Sequence, residues 1–172
     1  MPNIVLGPPM PGGEQQGSVD VLSLGVGGEV VLGLGGGRWF VDGPGVDLVV
    51  FENAFRYGSG GAKVFGEPAE VSVSEDGDAW RSFGCEAAAP EPPWGGCAGQ
   101  APARVFDTSS AELWHEDSGG DGFDLEVLGV ERARYVRVRD RSTGEAVAPT
   151  AGFDLDAVGA VYWDEGEPRA GE

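Results

Sequence analysis

In the stretch AEVSVSEDGDAW, Ala69 to Trp80, Val71 and Val73 alternate with Ser72 and Ser74 before the chain reaches Asp76-Gly77. A period of two puts the valines on one face of a strand and the serines on the other, which is the pattern of a half-buried sheet. Asp-Gly directly after such a run predicts a tight turn, because glycine supplies the positive φ that hairpin turns require. Ala69–Ser74 is therefore predicted to be a strand that doubles back through Trp80. The same alternation returns in RYVRVRD, where Tyr135, Arg137 and Arg139 oppose Val136 and Val138.

Working outward, strand-like runs are predicted near Val19–Leu24, Glu29–Leu34, Val46–Phe51, Arg134–Arg139 and Ala157–Trp163, and helical periodicity is nearly absent. With 31 glycines and 12 prolines in 172 residues, but no Gly-X-Y repeat, the chain reads as a turn-rich all-β protein rather than a collagen. Its length suits one domain, and a 41% apolar fraction can supply a core. The domain is expected to span 1–172, with its core at about 3–163 and 164–172 as a frayed tail. Residues from Glu86 to Gly120 form the exception, a long Pro/Gly/Ala-rich stretch expected to be an irregular loop.

Charge excludes some partners. Eleven basic against 29 acidic residues give a net charge of −18, which repels phosphate backbones and anionic membrane surfaces and favours cations. No window is long and apolar enough for a membrane span, and MPNIVLGPPMPGG has neither the basic nor the apolar region of a signal peptide. The two cysteines, Cys85 and Cys97, bracket EAAAPEPPWGG. Either they are free buried thiols or they form a bridge, and the bridge is the favoured reading because it would pin the long loop. A bridge favours an oxidising compartment, so the expected setting is extracellular, at the cell surface.

Catalytic readings are weak. The single histidine, His115 in ELWHED, has no Gly-x-Ser-x-Gly nucleophile elbow to serve. GLGGGR lacks phosphate-loop spacing and precedes no helix. Acidic pairs are too numerous for any one to indicate a glycosidase. The chain is expected not to be an enzyme.

Metal binding is the stronger expectation. Carboxylates gather at turns: Asp42 and Asp47 in VDGPGVD, Glu52 with Asn53 in FENAF, then Asp117, Asp121, Asp124, Asp154 and Asp156. Gly-Phe-Asp-Leu-acid occurs twice, in DGFDLEVLGV and AGFDLDAVGAVYW. Calcium takes six to eight oxygens from carboxylates, amides and backbone carbonyls, which such turns offer. An EF-hand starting at Asp117 is excluded, since its third and twelfth positions are Gly119 and Leu128. If Phe153, Leu155, Ala157, Val161 and Trp163 share one strand face, Asp154 and Asp156 share the other with Val158 and Ala160. Two acids on a partly buried face need a cation or several donors. The expected ligand set is Asp42, Asp47, Glu52, Asn53, Asp121, Asp124, Asp154 and Asp156.

The combination of AEVSVSEDGDAWRSF with ARYVRVRD resembles the galactose-binding-like β-jelly roll of discoidin-type and carbohydrate-binding modules. NIVLGPP, VDGPGVDLVVFENAF, GGDGFDL and GFDLDAV further resemble a family of exported bacterial cell-surface proteins, over about Asn3 to Trp163. The resemblance implies a single jelly-roll β-sandwich with a structural calcium near the last strand, Asp156 matching an acid of that strand, and Glu52 and Asn53 contributing from a neighbouring strand end. It implies a surface module for adhesion or ligand binding, with calcium, carbohydrate or another surface protein as partners. A lectin-like module is the first alternative, and a structural subunit that assembles with its own copies through calcium is the second. Trp94, Trp114 and Tyr57 are the candidate ligand-stacking residues, whereas Trp80 and Trp163 are expected in the core.

Overall fold

The computed structural model describes residues 3–10, 12, 15–89, 91–104, 118–142 and 152–164. His115, Trp114, Asp117 and nearly all of the expected tail lie outside them. No α-helix occurs among the described residues; the regular elements are strands and four short 3-10 turns.

Among the described residues thirteen strands follow in order: β1 (Leu22–Ser23), β2 (Glu29–Gly33), β3 (Trp39–Val41), β4 (Leu48–Glu52), β5 (Phe55–Tyr57), β6 (Lys63–Phe65) and β7 (Ala69–Ser74); then β8 (Arg81–Ser82), β9 (Asp121–Phe123), β10 (Arg132–Ala133), β11 (Tyr135–Asp140), β12 (Asp154–Ala160) and β13 (Trp163–Asp164). Two four-stranded sheets, ordered β1-β12-β4-β9 and β2-β11-β7-β8, carry the domain, and every pairing in them is antiparallel. A small β10-β3-β13 sheet and a β5-β6 hairpin complete it.

The two sheets face one another through side chains that the alternation predicts. Leu48, Val50, Phe123, Leu155 and Ala160 from the first meet Val71, Val73, Val136 and Val138 from the second in one buried cluster. This is an all-β sandwich. β4 is buried along its whole length. Its alternate residues Val49 and Phe51 pack with Ala103 and Ala157 in a second cluster on the outer side of that sheet.

The predicted turn after Ser74 is present. Gly77 has φ +86°, Asp76 accepts from the N–H groups of Asp78 and Ala79, and β8 returns alongside β7. The long loop is tied down as expected. Cys85 and Cys97 are disulfide-bonded, and Ala98, fully buried, exchanges two backbone hydrogen bonds with Ala69.

The last long strand departs from the expectation. It runs over Asp154–Ala160, three residues earlier than predicted, and its register slips between Leu155, opposite Glu52, and Ala157, opposite Phe51. Asp156 is the extra residue of a β-bulge, and a bulge reverses which face later residues occupy. Phe153 and Leu155 therefore face the main core, Ala157 faces the outer cluster, and Val158 and Ala160 return to the core side. The face assignment expected from simple alternation is corrected accordingly. Trp163 and Trp80 are also not core residues: Trp163, at 47% exposure, lines a surface depression with Pro8, Pro9 and Phe51, and Trp80, half-buried, belongs to neither core cluster and lies against the Arg137 guanidinium.

Candidate metal centre

The eight predicted ligands fall into three places. The first joins Asp42, Asp47 and Asp124. Asp42 and Asp47 belong to the Gly-Pro-Gly turn between β3 and β4, and Asp124 caps the 3-10 turn Leu125–Leu128, accepting from the Glu126 N–H at 2.8 Å. Asp47 is fully buried and organises the group. Its Oδ1 accepts from Gly43 N–H and its Oδ2 from Leu125 N–H, each at 2.7 Å, so one side chain ties the two turns together. Only glycine fits at position 43, because a Cβ there would stand 2.4 Å from the Tyr162 ring. One oxygen from each of the three aspartates lies within 4.8 Å of the others. Oxygens that share a calcium at about 2.4 Å can be up to about 4.8 Å apart, so the spacing suits one ion. Burial raises the Asp47 carboxyl above its ordinary range, and the charges of Asp42 and Asp124 push the same way, against the two N–H bonds. A cation would relieve that repulsion.

The second place is interior. Glu52 ends β4 opposite Leu155 and so points to the core side of the sheet. It is 2% exposed, and its Oε2 has no hydrogen-bond partner. Burial raises its carboxyl well above the usual range, with the charges of Glu67, Asp154 and Asp121 adding to the effect. Glu67, pushed up to about 7 chiefly by burial, accepts from Gly152 N–H at 2.8 Å. Asp121, also raised by burial to about 6, accepts from the N–H groups of Gly99 and Gln100. Asp154 is raised by burial against hydrogen bonds from Ser23 and Asn53, and its Oδ1 is buried without a partner. These acids crowd one sheet end, but among the described residues three ligand atoms come within 4.8 Å of one another only in the Asp42–Asp47–Asp124 group.

The third place holds the N-terminal segment. Asp156, 2% exposed, accepts from Met10 N–H with both oxygens, at 2.9 and 3.0 Å. Asn53 clamps Ser18, accepting from its N–H and donating from Nδ2 to its carbonyl at 3.1 Å. Asp156 and Asn53 are thus occupied by backbone rather than gathered with the triad.

Sequence reading passed over Glu67 and Asp140. Asp140, at the end of β11, is 2% exposed and accepts from Gly27, Phe153 and Ser142. Its signal was the closing acid of RYVRVRD, which reads there as an ordinary strand end. Of the expected stacking residues, Trp94 is corrected: it is 3% exposed, and its Nε1 donates to Ala89 O at 2.7 Å inside the disulfide-closed loop. Tyr57 is exposed, beside Lys63 and Glu91. No family model, curated protein or solved structure matches this chain.

Proposed function

We propose that this chain is a non-enzymatic, calcium-binding module of the cell exterior that serves adhesion or ligand binding, with the sandwich wound as a galactose-binding-like jelly roll. The observation that carries the reading is the convergence of Asp42, Asp47 and Asp124, three carboxylates from two separate turns with ligand atoms within 4.8 Å. Backbone carbonyls of the glycine-rich turn and water would fill the remaining positions of an oxygen-rich shell. Calcium there would clamp the β3–β4 turn to the turn after β9, at one end of the sandwich.

The Cys85–Cys97 bridge supports an extracellular setting, since disulfides persist in oxidising compartments. No helix among the described residues is long and apolar enough to cross a membrane. The charge of −18 opposes contact between copies unless cations screen it, so any assembly of this chain with itself is expected to need calcium.

Calorimetric titration of the metal-free protein with calcium chloride, with light scattering on the same samples, tests the reading. Saturable calcium uptake supports it, and a rise in mass on saturation adds the structural-subunit role. Absence of uptake at millimolar calcium contradicts it.

A further inference from the structure

The outer face of β12 is thinly covered. Past the bulge, Ala157 pairs with Phe51 and Gly159 with Val49, so both sit on the outer side of the sheet, one with a methyl group and the other with no side chain. The N-terminal segment packs against this strand without filling the space above it. That segment is fixed on both sides of Gly7–Pro9, by Val5 in the main core and by the bonds from Met10 N–H to Asp156. Pro8 and Pro9, together with Leu34 and Trp163, enclose a depression of about 330 Å³ that Ala157 and Gly159 also line. At the roughly 30 Å³ that a water takes up in the liquid, this is the volume of on the order of ten non-hydrogen atoms.

The lining is apolar with one exception. The chain carries 29 acidic residues, yet none of the described residues around the depression is acidic, and the single charged one is Arg38. Arg38 stands two positions before Phe40, the β3 partner of Trp163, and its guanidinium lies over the Trp163 ring, 4.7 Å from the centroid. It is exposed, so its charge sits at the mouth. Stacking engages the face of a guanidinium, whereas its five N–H donors lie in the plane. An apolar hollow with one fixed positive charge matches a ligand with an apolar body and one anionic head.

We propose that this depression binds a small aromatic carboxylic acid, its ring on Ala157 and Gly159 against Trp163 and its carboxylate on Arg38. A strand with so little side chain presents a flat surface on which a planar ring packs closely, and Trp163 and the two prolines give the ring apolar walls. Arg38 takes the carboxylate through charge-assisted N–H bonds. The walls are held before the ligand arrives, so little ordering is left to oppose binding. A second copy of this chain is the poorer occupant, because two bodies of charge −18 repel on approach. A single carboxylate meets mainly the charge beside it, since acids farther off than about 8 Å are screened at physiological salt. The inference adds a ligand class to the binding-module reading and does not depend on calcium.

The test is calorimetric titration with 3-phenylpropanoate, and with 3-phenylpropanamide as its neutral counterpart, at physiological salt in EDTA and in calcium. The acid is expected to bind equally in both media, about tenfold tighter than the amide, because the charge-assisted bonds are lost with the carboxylate. Arg38→Gln should weaken the acid about tenfold and leave the amide unchanged, and the amide then reports that the depression is intact. Gly159→Val, which adds a side chain on the outer face, should abolish binding of both. No binding at millimolar acid, equal binding of acid and amide, or an Arg38→Gln protein that binds the acid like the parent overturns the proposal. Binding that appears only with calcium also overturns it, since the ion rather than Arg38 then takes the carboxylate. A dimer in light scattering that Trp163→Ala abolishes, without binding of the acid, would overturn it and assign the depression to a second copy.

Discussion

The carboxylate of Asp156 holds the backbone N–H of Met10 with both oxygens, across 146 residues of sequence. The bulge makes this possible, because it turns Asp156 out of the strand's register at the point where the N-terminal segment crosses β12. Val5 on that segment is 6% exposed and belongs to the main core. Asp156→Ala is expected to cost about 1.5–3 kcal/mol, the range for losing a hydrogen bond to a charged group, with the same loss in calcium and in EDTA. Asp156→Asn, which keeps one acceptor, should cost less. Urea unfolding of both variants checks it; a loss seen only with calcium would make Asp156 a metal ligand and not an anchor.

The Cys85–Cys97 bridge closes a loop with a sequence separation of 12. Constraint of the unfolded chain by a loop of that size is worth about 3 kcal/mol. Ala98 pairs with Ala69 directly beyond it, so the bridge also steadies the edge of β7. Reduction should therefore lower the urea midpoint clearly, and Cys85→Ala/Cys97→Ala should reproduce the reduced state. Equal midpoints for oxidised and reduced protein would contradict this role.

The interior acids predict a pH dependence of the metal-free protein. Glu52, Glu67, Asp121 and Asp154 all have folded-state pKa values above their ordinary ones, so between those two values the folded chain holds more protons than the unfolded one. Unfolding then becomes easier as pH rises. The penalty is absent below about pH 4, and for Asp121 and Glu67 it is complete above about 6 and about 7 respectively. A shift of Asp121 from 3.8 to about 6 corresponds to about 3 kcal/mol. In EDTA the protein should be more stable at pH 5 than at pH 8, and Asp121→Asn should flatten the difference. The same urea midpoint at both pH values would show that these carboxyls do not titrate as the buried environment requires.

Much of the sandwich was legible because period-two alternation leaves little choice. Ala69–Ser74 was found with its bounds, and Glu29–Gly33, Leu48–Glu52 and Tyr135–Asp140 within one or two residues. What escaped were strands of two or three residues, such as Trp39–Val41 and Asp121–Phe123, which are too short to show a period and exist through their partners. The bulge at Asp156 escaped for another reason. No local signal marks an extra residue, and the parity of every later side chain depends on it. At the site, Asp42, Asp47 and Asp124 were among the named acids, but sequence spacing could not separate them from Asp156 and Asn53. Four of them sit at turns or strand ends and Asp156 on the bulge inside β12, and only packing decides whether backbone N–H groups or other carboxylates face them. Trp94 was assigned to the surface although the disulfide-closed loop that carries it buries its ring, and Trp163 to the core although it lies past the end of β12 and is 47% exposed.

The most direct test of the central claim is the melting temperature of the parent and of Asp124→Asn, each in calcium and in EDTA. Asparagine keeps the cap on the Glu126 N–H, so the fold around the 3-10 turn survives while one charged ligand is lost. Binding only to the folded state adds about 2.7 kcal/mol at a hundredfold excess of calcium over its dissociation constant. The parent is predicted to melt several degrees higher in calcium than in EDTA, and Asp124→Asn to lose most of that difference. A parent whose melting temperature ignores calcium, or a variant that keeps the full rise, would contradict calcium binding by Asp42, Asp47 and Asp124.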